Sequence, residues 1–206
     1  MDLVVLISGS GSNLQAIIDH IQEGKLDARI SAVISDKEGA YGLVRARNAS
    51  IPTTTCCLQH FSSKQEYERE LANLISQYQP DLLVLAGFMK ILSADFIEGF
   101  PSRILNIHPS LLPKFKGLST HQRAINAGEV SHGATVHIVT PDLDSGPIVL
   151  QSEVIIDDDD DAEILGKKVL KKEHMLYSRA IQYFADNPGI LGKGTTFPIQ
   201  TYISPE

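Results

Sequence analysis

Six short runs dominated by Val, Ile and Leu recur along the chain, at Leu3 to Ile7, Ile30 to Ile34, Leu82 to Ala86, Ile104 to Ile107, Thr135 to Val139 and Ile148 to Ile156. The first few lack the polar alternation of a strand with one wet face. They suit strands covered on both faces by helices, the usual setting of a parallel sheet. Helical patterns lie between them at Asn13 to Gln22, Tyr41 to Ala49, Lys64 to Tyr78, Ala94 to Gly99 and Thr120 to Ala127. This alternation predicts an α/β fold with a doubly wound, mostly parallel, Rossmann-like sheet in a single domain. The last two runs follow each other with no helix between, so the C-terminal edge of the sheet is expected to be mixed or antiparallel. Asp157 to Asp161 then read as a solvated turn whose carboxylates favour the start of a long helix ending near Phe184. We expect residues 1–186 to form the domain, with residues 187–206 as a C-terminal tail packed on it.

Composition narrows the function. At 206 residues with 43% hydrophobic content the chain can bury one substantial core. Its formal net charge of -7 argues against a general grip on nucleic acid, which needs clustered Lys and Arg to neutralise phosphates. The two cysteines are adjacent, Cys56-Cys57, which fits neither a disulfide framework nor a spaced metal motif and suits a reducing compartment. Leu3 to Ile7 is too short for a signal-peptide core, and no later run reaches membrane-spanning length. The expectation is a cytoplasmic protein with no membrane partner; a homodimer stays open.

The chemistry concentrates in Arg103-Ile104-Leu105-Asn106-Ile107-His108-Pro109-Ser110-Leu111-Leu112-Pro113 and, further on, Asp142-Leu143-Asp144-Ser145-Gly146-Pro147. Asn106 and His108 sit two apart, so on an extended strand both point to one side and Ile107 to the other. Pro109 and Pro113 prevent a helix from starting at the histidine. An amide donor beside an imidazole suits a developing oxyanion, and a carboxylate such as Asp144 nearby would favour the charged imidazolium. Ser110 has no base placed to make it a nucleophile.

Other stretches carry alternatives. Ile7-Ser8-Gly9-Ser10-Gly11-Ser12-Asn13-Leu14 joins a strand to a helix, and its glycines and free N–H groups form a ready phosphate site. The plainer reading makes Ser12 or Asn13 the helix N-cap. As a dinucleotide fingerprint the turn is weak, because the third glycine position is Leu14, although Asp36 after the second strand keeps a nicotinamide reading open. Leu85-Ala86-Gly87-Phe88-Met89-Lys90-Ile91-Leu92 reads either as a pocket wall for a flat ring or as core. His108, His121, His132, His137 and Asp144 invite a metal, yet no pair has helical ligand spacing, and we expect none. His20, His60 and His132 read as surface or loop residues. Glu173 falls on the buried stripe of the last helix, where a carboxylate needs either an internal partner or a ligand.

Taken together, the chain resembles the phosphoribosylglycinamide formyltransferase (GAR transformylase) family of folate-dependent formyltransferases, from the first strand to about Phe184. The most specific stretch is Asn-Ile-His-Pro-Ser-Leu-Leu-Pro at 106–113; the Gly-Ser-Gly-Ser-Asn turn at 9–13 separates it from methionyl-tRNA formyltransferases and formyltetrahydrofolate deformylases. The resemblance implies a one-carbon transferase of purine synthesis that takes two small-molecule substrates, 10-formyltetrahydrofolate and 5-phosphoribosylglycinamide (GAR), with no metal. It implies that Asn106, His108 and Asp144 are catalytic. Gly11, Ser12, Asn13 and Glu173 would hold GAR, while Lys64, Met89, Lys90, Ile91, Leu92 and Asn106 would hold the folate. Lys64 and Lys90 stand where arginine is frequent, Ser145 where glycine is, and Leu170 where some members carry a polar substrate contact.

Overall fold

The computed structural model describes residues 1–100 and 103–190. Seven strands form one sheet in the order β3-β2-β1-β4-β5-β6-β7. The strands β1 (Asp2–Ile7), β2 (Arg29–Ser35), β3 (Thr53–Thr55), β4 (Leu82–Leu85) and β5 (Arg103–His108) run parallel. They are followed by antiparallel β6 (Ser131–Ile138) and β7 (Ile148–Ile155), the mixed edge that the sequence pattern predicts. The helices are α1 (Ser12–Gln22), α2 (Tyr41–Asn48), α3 (Lys64–Ser76), α4 (Ala94–Gly99), α5 (Thr120–Asn126) and α6 (Ala162–Asp186).

The uninterrupted apolar strands bury both faces. Leu3, Val5 and Ile7 of β1 join Leu14 and Ile17 of α1, Leu43 of α2 and Leu176, Ala180 and Phe184 of α6 in one core. Val4 and Leu6, one step along the same strand, join Tyr67 and Leu71 of α3 and Phe96 of α4 in the other. The two-residue period of a strand thus assigns alternate side chains to two helical layers. Tyr177 of α6 is fully buried, and its hydroxyl donates to the Leu85 carbonyl at 2.9 Å and the Leu105 carbonyl at 3.0 Å. That fixes α6 against the end of β4 and the middle of β5.

Side chains cap three of the six described α-helices. Ser63 caps α3 by accepting from the Glu66 N–H, and Ser93 caps α4 by accepting from the Phe96 N–H. Asp161 caps α6 by accepting from the N–H groups of Glu163 and Ile164, while Lys168 bridges Asp157 and Asp160 at 2.6 Å each.

Two expectations are corrected, and one strand is added to the six apolar runs. The N-cap of α1 is Gly11 at φ 70°, without a side-chain cap, so neither Ser12 nor Asn13 has that role. His132 is a buried residue of β6, 1% exposed, rather than a loop residue, because the strand begins at Ser131. The strand β3 carries three threonines and no apolar run; it forms by pairing with β2 at the sheet's edge. After α6 a short 3₁₀ turn spans Pro188–Ile190, and the remainder of the expected tail, 191–206, lies outside the described residues.

Candidate active site

The carboxyl ends of β1, β4 and β5 open on the same edge of the sheet, where ligands bind in open α/β folds. A cleft of about 430 Å³ lies there, lined by Met89, Lys90, Ile91 and Leu92 on one side and by Asn106, His108 and Asp144 on the other. Met89 and Ile91 expose 65% and 66% of their surface, apolar area on the cleft wall that a ligand can cover. The 85–92 stretch is thus cleft wall and core at once, since Leu92 is 5% exposed and packs in the second core.

Antiparallel pairing of β5 with β6 sets Asn106 opposite His137 and His108 opposite Thr135. The Nδ2 of Asn106 lies 3.1 Å from Nε2 of His137, whose Nδ1 lies 3.0 Å from the Ile138 carbonyl. A carbonyl only accepts, so Nδ1 carries the proton. Burial pushes the His137 pKa down and keeps the ring neutral, leaving Nε2 to accept one amide hydrogen of Asn106. The other amide hydrogen is left for a ligand.

His108 is 6% exposed, with Nδ1 3.4 Å from Oδ2 of Asp144 and Nε2 donating to the Phe115 carbonyl at 3.0 Å. Asp144 sits at φ 46° and accepts the Gly117 N–H at 2.9 Å, which ties the 141–146 turn to the segment after Pro113. Its Oδ1 lies 3.7 Å from Nε2 of His137, a contact without ion-pair character while that ring is neutral. Ser110 donates to the Lys114 carbonyl at 2.7 Å, a structural use of its hydroxyl.

The glycine turn forms a second cluster. Gly42 of α2 donates its N–H to the Gly9 carbonyl at 3.0 Å, and Arg45 donates through Nε to the Ser10 carbonyl at 2.9 Å. Asn13 donates through Nδ2 to Oε2 of Glu173 at 2.7 Å, joining α1 to α6. Burial raises the Glu173 pKa, and the Asn13 hydrogen bond opposes this only in part. Ser8 links this turn to the cleft, because its hydroxyl accepts the Met89 N–H at 2.8 Å and its N–H donates to the Gly87 carbonyl at 3.1 Å.

Lys64 stands apart. It lines a different groove, between α3 and α4, and pairs with Glu68 at 3.6 Å. The Asp36 side chain is fully buried, with Lys90 at 3.8 Å, so it offers no exposed carboxylate to a dinucleotide ribose. Of the histidines considered for a metal, His121 and His132 pack edge to face at 5.3 Å, and Phe115 meets His132 at 6.0 Å.

Sequence reasoning gave His137 no part beside Asn106. The available signal was the strand pairing itself, since His137 and Thr135 alternate on β6 as Asn106 and His108 do on β5. Tyr177 carried no signal beyond its place on the helix stripe.

Comparison with known proteins decides the family. The formyl transferase model matches residues 1–181. The chain belongs to the formyl transferase family. It is 48% identical over 186 residues to phosphoribosylglycinamide formyltransferase of Escherichia coli, covering 90% of this chain and 88% of that protein. A structure of the phosphoribosylglycinamide formyltransferase of Coxiella burnetii superposes with a TM-score of 0.89 at 47% identity, covering 95% of this chain and 90% of that one. The Homo sapiens protein named trifunctional purine biosynthetic protein adenosine-3 is 39% identical over 191 residues, 93% of this chain and 19% of that protein. As a family member the chain is a formyltransferase, and none of its described helices is long and apolar enough to cross a membrane.

Proposed function

We propose that this formyltransferase moves a formyl group from 10-formyltetrahydrofolate to the amine of GAR in purine synthesis. The observation that carries the reading is the meeting of Asn106, His108 and Asp144 at the end of β5, beside a cleft wall hydrogen-bonded through Ser8 to the glycine turn. The relatives named for this activity share about half their residues with the chain over nearly its whole length, which supports the same acceptor.

The folate ring lies against Met89, Lys90, Ile91 and Leu92, where exposed apolar surface is available to cover. The GAR phosphate sits on the N–H groups of Gly11, Ser12 and Asn13 at the start of α1, where the helix dipole favours an anion. Glu173, already holding Asn13, accepts from the ribose hydroxyls or the amine end of GAR. The GAR amine, neutral, then attacks the formyl carbon on N10, and negative charge gathers on the formyl oxygen. Asn106 donates its remaining amide hydrogen to that oxygen, and His108 donates its Nε2–H once the substrate displaces the Phe115 carbonyl. Asp144, on the Nδ1 side, complements positive charge on the ring and accepts the amine proton through water. Collapse of the tetrahedral intermediate expels N10, which takes up the proton relayed from the amine through water and Asp144 and leaves as tetrahydrofolate, with no covalent enzyme intermediate. Lys64 lies outside the cleft, so its part in folate binding is a contact to the distal folate tail.

The test is a formyl-transfer assay with both substrates, with methionyl-tRNA as a competing acceptor. Formyl-GAR should accumulate with one equivalent of tetrahydrofolate. Transfer to the tRNA in preference to GAR would overturn the assignment.

A further inference from the structure

Outside the cleft, beyond the carboxyl ends of β2 and β3 on the same edge of the sheet, three side chains of different chemistry converge. Glu38 comes from the loop after β2, while Cys57 precedes and His60 ends the 3₁₀ turn Leu58–His60 after β3. One ligand atom from each lies within 4.8 Å of both others, and His60 Nε2 is 3.9 Å from Glu38 Oε1. The backbone builds this closeness, because the His60 N–H donates to the Cys57 carbonyl at 3.0 Å and so folds His60 back toward Cys57. None of the three lines the cleft that holds His108.

We propose that Glu38, Cys57 and His60 form a zinc site separate from the active site. A thiolate, an imidazole and a carboxylate are the three donor types zinc accepts, and the thiolate disfavours magnesium and calcium. Three protein ligands leave a fourth tetrahedral position for water or an outside donor. The present spacings, up to 4.8 Å, are wider than those around a bound ion, and Glu38 and His60 are exposed with side chains free to close. Cys57 is 4% exposed and sits at the foot of the site, where it anchors the ion. The Gln59 amide, 3.4 Å from His60 Nε2, is the contact that metal displaces. Binding converts the Cys57 thiol to thiolate and releases that proton to solvent, with no change of oxidation state. The sequence spacing hides the site, since Glu38 is distant in the chain and C-x-x-H alone is a weak motif.

The experiment titrates the full chain, stripped with a chelator, with cobalt(II) as a spectroscopic stand-in for zinc. One equivalent should give a thiolate-to-cobalt charge-transfer band and the intense visible bands of four-coordinate cobalt, and zinc should abolish both. Cys57→Ser should remove the charge-transfer band, and His60→Ala and Glu38→Gln should each weaken binding at least on the order of tenfold. Circular dichroism melts check that each variant is folded, and Cys56→Ala should leave the spectrum intact. The proposal fails if no charge-transfer band forms, if the band survives Cys57→Ser, or if the cobalt signal is lost with His108→Ala instead. None of these outcomes depends on the identity of the formyl acceptor.

Discussion

Gly11 and Gly42 approach so closely that a Cβ built on Gly11 would lie 2.6 Å from the Gly42 Cα. A Cβ on Gly42 would in turn meet Ile7 Cδ1 at 2.5 Å. Gly11 also sits at φ 70°, where an L side chain is strained. The turn that leads into α1 is therefore shaped by two missing side chains on two different elements. Gly11→Ala should cost about 1–2 kcal/mol from the conformation alone and more from the clash. Because the backbone at 11–13 shifts, KM for GAR should rise at least several-fold while the affinity for a folate analogue changes little. Isothermal titration with the analogue and initial rates with GAR separate the two, and equal losses for both ligands would detach the turn from the phosphate.

Glu173 offers a trade between stability and binding. Its folded pKa is raised by burial, so the folded protein holds the proton more tightly than the unfolded chain. With that sign, its ionisation costs stability as pH rises above the usual carboxylate range, and the cost persists at neutral pH. Glu173→Gln removes the charge and keeps an oxygen for the Asn13 amide. The variant should melt higher than the parent at pH 7, with the advantage shrinking in acid, yet show a raised KM for GAR. A melting temperature below the parent at neutral pH, or an unchanged KM, would show that the carboxylate has another purpose.

The catalytic scheme separates into three variants with different signatures. Asn106→Ala removes one oxyanion donor and should lower kcat on the order of 10² to 10³. His108→Ala should cost at least as much, since it removes a donor and a charge. Asp144→Asn keeps the shape that accepts the Gly117 N–H and removes the charge beside His108, so it should lower kcat far more than folate-analogue affinity. A fourth variant, His137→Phe, keeps the buried volume but frees Asn106, and it should lower kcat with little change in either KM. Near-parental kcat in any of these removes that residue from its role.

Much of this was written in the chain, and the exceptions have physical causes. β1 and β2 were legible because burial on both faces demands unbroken Val, Ile and Leu. β3 was not, because an edge strand of three threonines is selected by its neighbour's hydrogen bonds rather than by its own hydrophobicity. The pairing of Asn106 with His108 followed from their two-residue spacing, a local property. The contact of Asn106 with His137 depends on the β5–β6 register, which no local pattern states. Gly11 resembled any flexible turn residue in sequence; its true constraint is Gly42, a residue on another helix. His132 was misjudged for a similar reason, since a polar ring beside Glu-Val-Ser suggests a loop until β6 is seen to begin at Ser131.

That buried histidine gives the last prediction. His132 is 1% exposed, packs edge to face against Phe115 and His121, and has Nε2 without a hydrogen-bond partner among the described residues. Burial, with a smaller contribution from His121, pushes its pKa down to about 4. In the unfolded chain it titrates near roughly 6.5. Between those values the unfolded chain takes up a proton that the folded protein refuses, so stability falls as pH drops through this window and is constant above it. The full loss is on the order of 3 kcal/mol, reached below pH 4. His132→Gln gives up ring packing and should be the less stable protein at pH 7.5, by about 1–2 kcal/mol. Because glutamine takes up no proton in either state, its deficit should shrink by about 2 kcal/mol toward pH 5, closing or reversing there. His121, His137 and His174 have lowered pKa values too, so the variant keeps part of the acid sensitivity. Urea denaturation of both proteins at about pH 7.5, 6 and 5 measures the gap. A gap that stays constant over that range would mean that His132 is protonated equally in folded and unfolded states and that its burial carries no acid penalty.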